Sequence, residues 1–263
     1  MHYIVLDLEF NQDFSELKYL DSKGKKSKYP FEIIQIGAVK LDSNLNNKGT
    51  YNRYIKPTIY SKVSPFIEEL TGITTEQVIS EKVFSEVYKD FIHFINDPKA
   101  IFCIWGMSDI KELFKNVFYH ELNADLLPRK YINIQPYVSK HFGLSIQKLF
   151  NLQNAVEELS LPINFEFHNA FYDAHYTAEV FKKIYNPSIK PQTYDPYQVK
   201  PRPRKPKIRV DYYKLIQQFE KMYDREMTKE EKDIIKLAYN MGRTQQFIKI
   251  GNEKSQDRPS KKK

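Results

Sequence analysis

Residues 2–10 read His2-Tyr-Ile-Val-Leu-Asp-Leu-Glu-Phe10, an apolar run with β-branched members that ends in two acids. The run predicts a strand over residues 2–8, and because it is apolar on both faces we expect it at the centre of a sheet. Side chains alternate along a strand, so the carboxylates of Asp7 and Glu9 point to one face. Like charges on a buried strand are costly to desolvate unless a cation joins them. The pair therefore indicates either a site for Mg²⁺ or Mn²⁺ or a strand end that reaches water.

Two more strands are predicted close behind the first. Residues 32–41 read Glu-Ile-Ile-Gln-Ile-Gly-Ala-Val-Lys-Leu and residues 50–55 alternate, with short turns between, so the three strands should pair antiparallel. Short apolar runs at 100–105 and 131–134 predict two further strands. Apolar residues recur with helical spacing in the other stretches, which predicts helices at 64–70, 83–95, 109–119, 135–142, 152–159 and 170–185. The predicted fold is α/β, a mixed five-stranded sheet flanked by helices.

The composition changes near residue 187. Six prolines lie between Pro187 and Pro206, within a basic stretch that should be extended. Beyond it, amphipathic spacing and the Thr228–Glu231 capping box predict two helices. The expected organisation is a main domain at 1–186, a Pro-rich basic linker at 187–210, a small helical extension at 211–250 and a disordered basic tail at 251–263.

The net charge of +8 is unevenly placed. Residues 190–263 hold 20 Lys and Arg against 10 Asp and Glu, whereas the remainder has a net charge of −2. This distribution indicates a polyanionic partner, with tail contacts to backbone phosphates. A basic tail that serves only solubility is the alternative.

Composition also excludes several classes of protein. Hydrophobic residues make up 41% and aromatic residues 14% of the 263 residues, enough for a core and too much for global disorder. The longest apolar runs, such as residues 100–105, are too short to span a bilayer, so no membrane association is expected. The start of the chain meets Asp7 early and does not resemble a secretory signal. A single cysteine, Cys103, excludes an internal disulfide, and we expect a cytoplasmic protein.

Three further residues could carry chemistry. Asp109 follows the strand at 100–105 at the start of a helix, where it could bind a metal or simply complement the helix dipole. His168 and Asp173 lie where a loop enters a helix, so both groups can point to one place. Alternatively, His168 bonds to the backbone and Asp173 is another first-turn acid. Ala174 and Ala178 would let this helix approach a sheet closely.

The order and spacing of these residues resemble the DEDDh 3′–5′ exonucleases, the superfamily of RNase T and of polymerase proofreading domains on a ribonuclease H-like fold. Their first motif, Asp-x-Glu, matches Asp7-Leu-Glu9, and their second matches Asp109. Their third, His-x-Ala-x-x-Asp-Ala-x-x-Thr-Ala, matches residues 168–178 at every fixed position. The resemblance covers residues 1–186 and is strongest to Eri-type RNA exonucleases and to sporulation-inhibitor exonucleases. Asn169 departs from the Arg that many members carry, which bears on substrate preference.

The resemblance implies a two-metal phosphodiesterase. Asp7, Glu9, Asp109 and Asp173 would hold two Mg²⁺ or Mn²⁺ ions, and His168 would take the proton of the attacking water. The substrate would be the 3′ end of single-stranded or overhanging nucleic acid, with RNA preferred over DNA. The products would be 5′-nucleoside monophosphates.

Base contacts are expected from Leu8, Phe10 and Ile73, for which core packing is the alternative. Two rival functions remain. One is a proofreading or repair exonuclease that acts on DNA. The other is a non-catalytic nucleic-acid-binding module whose acids are vestigial.

Overall fold

The structure is a computed structural model that describes residues 2–12, 31–144, 149–198 and 211–243. The chain forms two compact units, with the boundary between Val199 and Lys200. The first unit contains a sheet whose described strands are β1 (Tyr3–Asn11), β2 (Glu32–Leu41), β3 (Asn47–Tyr54), β4 (Ile101–Ile104), β5 (Lys130–Asn133) and β6 (Gln192–Thr193).

The strand order in this sheet is β3-β2-β1-β4-β5-β6. The first strand is central, as its two apolar faces predict, and pairs antiparallel with β2 and parallel with β4. In turn, β2 pairs antiparallel with β3, and β4 pairs parallel with β5. The parallel alignment brings the carboxyl ends of β1, β4 and β5 to one edge of the sheet, where ligand sites of such sheets form.

Helices cover both faces of the sheet. They are α1 (Pro65–Thr71), α2 (Thr75–Val78), α3 (Phe84–Ile95), α4 (Ser108–Tyr119), α5 (Gln135–His141), α6 (Leu152–Glu158) and α7 (Ala170–Ile184), with a 3₁₀ turn at Ala124–Leu126. On one face, Ile4 and Leu6 join a core cluster with α3 and α4. On the other face, Val5 joins a cluster with α5, α6 and α7. These three β1 side chains are fully buried, which stabilises the fold by about 1.5–3 kcal/mol each.

In the part of the chain that the structure describes, the sheet has six strands, one more than predicted, and the extra strand lies in the segment expected to be linker. Gln192 pairs with Tyr131 of β5, and the Tyr194 ring lies 5.2 Å from the Phe114 ring. Ile189 is buried. The first compact unit therefore runs past the boundary expected at residue 186. A two-residue strand has no alternation to detect, and its flanking prolines are also typical of a linker.

Within residues 211–243, the described part of the second unit, the chain forms a helical pair, α8 (Tyr212–Tyr223) and α9 (Lys229–Arg243). The predicted capping box is present, because the Glu231 N–H donates to Thr228 Oγ1 at 3.2 Å and the Thr228 N–H donates to Glu231 Oε2 at 2.9 Å. The predicted helical extension is thus confirmed, but residues 211–243 hold 7 basic and 7 acidic side chains and are not basic.

The positive charge of the extension instead comes mainly from residues 200–209 and 249–263, which lie outside the described residues. The tail expected at 251–263 lies outside them as well. None of the helices in the described ranges combines the length and the hydropathy that crossing a bilayer requires.

Candidate active site

Asp7 and Glu9 lie near the end of β1 on the face that α7 covers. Alternation along the strand puts them on the same side as Val5, which packs in the α7 cluster. The pairing of β1 with β2 shifts its register between Glu9 and Phe10, so the regular ladder is interrupted just after the two acids and resumes at Phe10. The prediction that both carboxylates share one face is therefore confirmed.

Helix α7 brings Asp173 to this pair because its first turn lies directly on β2. Gly37, which is opposite Asp7 in the register, has no side chain, and a methyl group there would lie 2.1 Å from the carbonyl carbon of Ala170. Ala174 and Ala178 are fully buried on the same helix. Small residues on both elements therefore permit the close approach that the alanines predict.

Asp109 reaches the site from a third element of the fold, since it lies in the first turn of α4. Gly106 makes the turn between β4 and α4 with φ +88°, a conformation that favours glycine, and its N–H donates to Asn133 Oδ1 at 3.0 Å. Because β4 runs parallel to β1, with Ile104 opposite Leu6, α4 begins beside the end of β1. The Asp109 side chain is buried there.

The carboxylates converge to a separation that suits a cation. One oxygen each from Asp7, Glu9 and Asp173 lie within 4.8 Å of one another. The charge of Asp109 also acts on Asp7 and raises its pKa. Asp173 Oδ1 is buried and has no hydrogen-bond partner among the described residues. An all-oxygen donor set with an orphaned buried carboxylate oxygen fits Mg²⁺ or Mn²⁺.

The pKa values of the four acids also indicate a site that favours cation binding. Burial, followed by repulsion from Asp109, Asp173 and Glu9, raises the pKa of Asp7 well above its ordinary value. Burial and the other acids raise the pKa of Glu9 to about 8 and that of Asp109 to about 7. Burial raises the pKa of Asp173 to about 6. Without cations, the cluster holds protons that free carboxyl groups would release, so cation binding would compete with protonation.

His168 lies at the rim of the acid cluster. His168 is exposed, and its backbone has a φ of +65°, in the left-handed region that non-glycine residues seldom adopt. Its backbone N–H donates to Asp173 Oδ2 at 3.1 Å, and this hydrogen bond, followed by the charge of His168, partly offsets the rise that burial causes in the pKa of Asp173. The structure thus brings His168 to the same carboxylate that joins Asp7 and Glu9.

The three residues expected to contact bases are placed differently from one another. Leu8 is 4% exposed and Ile73 is 2% exposed, each within an apolar cluster, which is the core packing that the sequence also allowed. Phe10 is half-buried, with its ring 6.0 Å from that of Phe31. Of the three, only the Phe10 side chain has surface for a base to contact in this structure.

Gln35 is a residue that shapes the site and that the sequence patterns did not predict. It is fully buried in β2, opposite Glu9. Its Oε1 accepts from the Ala170 N–H at 3.2 Å, and its Nε2 donates to Asn169 Oδ1 at 3.2 Å and to Asn52 Oδ1 at 3.0 Å. Asn169 also caps α7 by accepting from the Phe171 N–H. The sequence signal that could have identified Gln35 is an amide within the apolar run of residues 33–39.

Glu112 is a fifth acid close to the site, one helical turn after Asp109. It is buried, and Lys115 Nζ lies 2.5 Å from its Oε1. Its charge raises the pKa of Asp109. Lys115 partly offsets this charge, while Glu112 Oε2 is buried and has no hydrogen-bond partner among the described residues.

Comparison with known proteins agrees with this geometry. The RNase T family model, described as an exonuclease, matches residues 4–181. A PolC-type DNA polymerase III from Thermotoga maritima is 32% identical over 153 residues, which are 58% of this chain and 10% of that protein. The 3′–5′ exoribonuclease 1 of Rattus norvegicus is 26% identical over 168 residues, which are 60% of this chain and 48% of that protein.

The chain thus spans at most about half the length of these curated relatives. Among solved structures, the nuclease domain of 3′hExo, a DEDDh family member bound to rAMP, has a TM-score of 0.60 at 21% identity, over 74% of this chain and 96% of that one. That likeness shows the ribonuclease H-like exonuclease fold. The chain belongs to the RNase T exonuclease family, within the DEDDh 3′–5′ exonuclease superfamily.

Proposed function

We propose that this protein is a metal-dependent 3′–5′ exonuclease that removes 5′-nucleoside monophosphates from the 3′ end of single-stranded or overhanging nucleic acid, with RNA preferred. The observation that carries the proposal is the convergence of Asp7, Glu9 and Asp173 within 4.8 Å. Two supporting features are the buried Asp109 beside them and the contact of His168 with Asp173. A non-catalytic binding module would have no need for such a costly cluster.

The metal ligands in this proposal are Asp7, Glu9, Asp109 and Asp173. Bound divalent cations would supply an activated water and would stabilise charge on the phosphate and on the departing 3′-oxygen. Each of the four acids has a raised pKa, so each favours a state in which its charge is neutralised. The orphaned Asp173 Oδ1 gives a specific atom that a cation would satisfy.

His168 is the proposed general base. It is exposed at the rim of the cluster, so a neutral imidazole could accept a proton from water at the scissile phosphate and release it to solvent. The hydrogen bond to Asp173 comes from the backbone N–H of His168, so it fixes the loop without using the imidazole. Phe10 is the proposed stacking surface for the terminal base.

The relatives include proteins named for RNA and proteins named for DNA, and both bear on the choice of substrate. The rat protein is named an exoribonuclease and so is ERI1 exoribonuclease 3, which is 25% identical over 206 residues in Homo sapiens. The PolC relative, at 32% identity, is a DNA polymerase and favours the DNA alternative. We choose RNA because the two exoribonuclease matches cover 60% and 74% of this chain, whereas the PolC match covers 58%.

Matched 5′-end-labelled RNA and DNA strands, digested with Mg²⁺ or Mn²⁺, test the proposal. We expect a ladder of products shortened from the 3′ end, release of nucleoside 5′-monophosphates, and faster digestion of RNA. His168→Ala should lose roughly 10²–10⁴-fold in rate, the usual contribution of a general base. Faster digestion of DNA would support the proofreading or repair alternative, and no digestion of either strand would refute the proposal.

A further inference from the structure

The loop that leads to His168 is fixed to α7 by two aromatic stacks. The Phe165 ring lies parallel to the Tyr172 ring, with centroids 4.5 Å apart and an interplanar angle of 4°. The Phe167 ring stacks on the Tyr176 ring at 4.8 Å and 25°. Tyr172 and Tyr176 are one helical turn apart, so they form two successive supports on one side of α7.

The Tyr176 hydroxyl adds two hydrogen bonds to the same loop. It accepts from the Phe165 N–H at 2.7 Å and donates to the Phe165 carbonyl oxygen at 2.8 Å. Tyr176 is 2% exposed, whereas Phe165 is 41% exposed, so a buried side chain holds a backbone segment at the surface. Packing of the core needs only the ring, which means that the hydroxyl serves the loop.

The segment held in this way ends at His168. A left-handed φ of +65° at a non-glycine residue is strained and persists only where surrounding contacts impose it. The Tyr176 bonds, the two stacks and the bond from His168 to Asp173 Oδ2 are such contacts. They also limit how far the exposed imidazole can move from the acids.

We propose that Tyr176 is a positioning residue for His168, and that the Phe165–Tyr172 stack assists it. Tyr176 holds the loop so that the imidazole stands beside the acid cluster before substrate binds, which saves ordering of the base during the reaction. This inference rests on the proposed role of His168 as the general base. Among the described residues, the Tyr176 hydroxyl bonds to Phe165 and not to any of the four acids, and the proposed mechanism gives it no contact with the reacting atoms.

The test is Tyr176→Phe in the full chain, which keeps the buried ring and removes one oxygen. On a single-stranded RNA with Mn²⁺, kcat should fall about 10-fold, part of the 10²–10⁴-fold that a general base contributes. KM and the Mn²⁺ dissociation constant, measured by calorimetry, should remain within about twofold, because the substrate contacts and the four acids are unchanged. A merely structural role would not produce this split.

A double-mutant cycle shows whether the effect passes through His168. In a His168→Ala background, Tyr176→Phe should change kcat by less than about twofold, because there is no base left to position. An equal loss of kcat in both backgrounds would overturn the proposal, as would an unchanged kcat in the single variant. If His168→Ala alone leaves kcat unchanged, the general-base assignment fails, and this inference fails with it.

Two more variants guard against effects on folding. Tyr185→Phe removes a hydroxyl at the far end of α7, 3.3 Å from the Tyr3 hydroxyl, and should leave kcat unchanged. Phe165→Ala truncates a side chain that is 41% exposed, so the core stays intact, and it should reproduce the selective loss of kcat to a smaller degree. An unchanged kcat in Phe165→Ala would remove the stack from the proposal.

Discussion

Gly37 of β2 and Ala170 of α7 are in closer contact than any side chain would permit. A methyl group at Gly37 would lie 2.1 Å from both the carbonyl carbon and the carbonyl oxygen of Ala170. Gly37 is also the residue opposite Asp7. The approach of α7 to the sheet, and hence the position of Asp173 beside Asp7, depends on the absence of a side chain at this one residue.

Gly37→Ala should therefore separate Asp173 from the other acids. We expect exonuclease activity to fall by about 10²-fold, as happens when reacting groups are displaced by around 1 Å, and Mn²⁺ affinity to fall with it. Ala38→Gly is the matched control, since Ala38 is the next residue on the strand and faces the α3 and α4 side. A folded Gly37→Ala protein with normal activity and Mn²⁺ affinity would contradict the prediction.

The raised pKa values predict how the stability of the metal-free protein depends on pH. The folded cluster keeps protons that the unfolded chain releases above about pH 4, so stability should fall as the pH rises from 4 to 8. Thermal melts in EDTA from pH 5 to pH 8 would show this as a decreasing melting temperature. Saturating Mg²⁺ at pH 8 should restore it.

Asp7→Asn is the control for that experiment, since it removes one charge from the cluster and should flatten the decline. The carboxyl groups whose pKa is lowered to about 2, those of Asp42 and Glu231, contribute stability that is lost only as the pH falls below 4. They therefore do not affect the range measured. A melting temperature that is flat or rising in EDTA would show that the acids do not repel one another as inferred.

Gln35→Leu tests whether the amide in β2 holds the start of α7. The change leaves the buried Ala170 N–H without its acceptor, at a cost of about 1–3 kcal/mol in the free energy of unfolding. Because α7 carries Asp173 and begins two residues after His168, kcat should also fall. Asn52→Ala is the matched control, since Asn52 shares the Gln35 amide but is not on α7. Urea unfolding and kcat measured together would decide, and loss of stability with unchanged kcat would contradict the prediction.

Local patterns predicted much of this fold because they report burial directly. The apolar run in β1 identified the central strand, and alternation placed Asp7 and Glu9 on one face. Helical spacing identified α3 and α4 to within a residue at each end. The third motif placed His168 and Asp173 at the start of α7, where the structure has them.

The remaining features depend on contacts between distant parts of the chain. Gln35 meets Asn169 across 134 residues, and no spacing rule along the chain reports such a bond. The burial of Ile73 in a small cluster with Ile34 depends on how α1 and α2 fold back over the sheet. Tyr176 occupies a variable position of its motif, so only the structure shows that its hydroxyl reaches Phe165.

Substitution of the basic residues before α8 would show whether this segment binds the phosphates of a nucleic-acid backbone, as the charge distribution predicts. They are Lys200, Arg202, Arg204, Lys205, Lys207 and Arg209. With all six changed to Gln, the slope of log affinity for single-stranded RNA against log salt should become shallower by about 0.7 for each phosphate that the protein no longer neutralises. The control changes Lys229, Lys232 and Lys236 of α9 to Gln, which should alter the slope less. An unchanged slope in the first variant would leave only the solubility role.

Calorimetric titration of the metal-free protein with Mn²⁺ examines the acid cluster itself. We expect saturable binding of two ions per chain in the native protein, with proton release at pH 7 because the acids hold protons when empty. Asp7→Asn and Asp173→Asn should each weaken binding by at least about 10-fold, since changes to residues that only orient metal ligands already cost about 10–100-fold. If the native protein binds no Mn²⁺, or if both variants bind it as tightly as the native protein does, the assignment of these carboxylates as a metal site is contradicted.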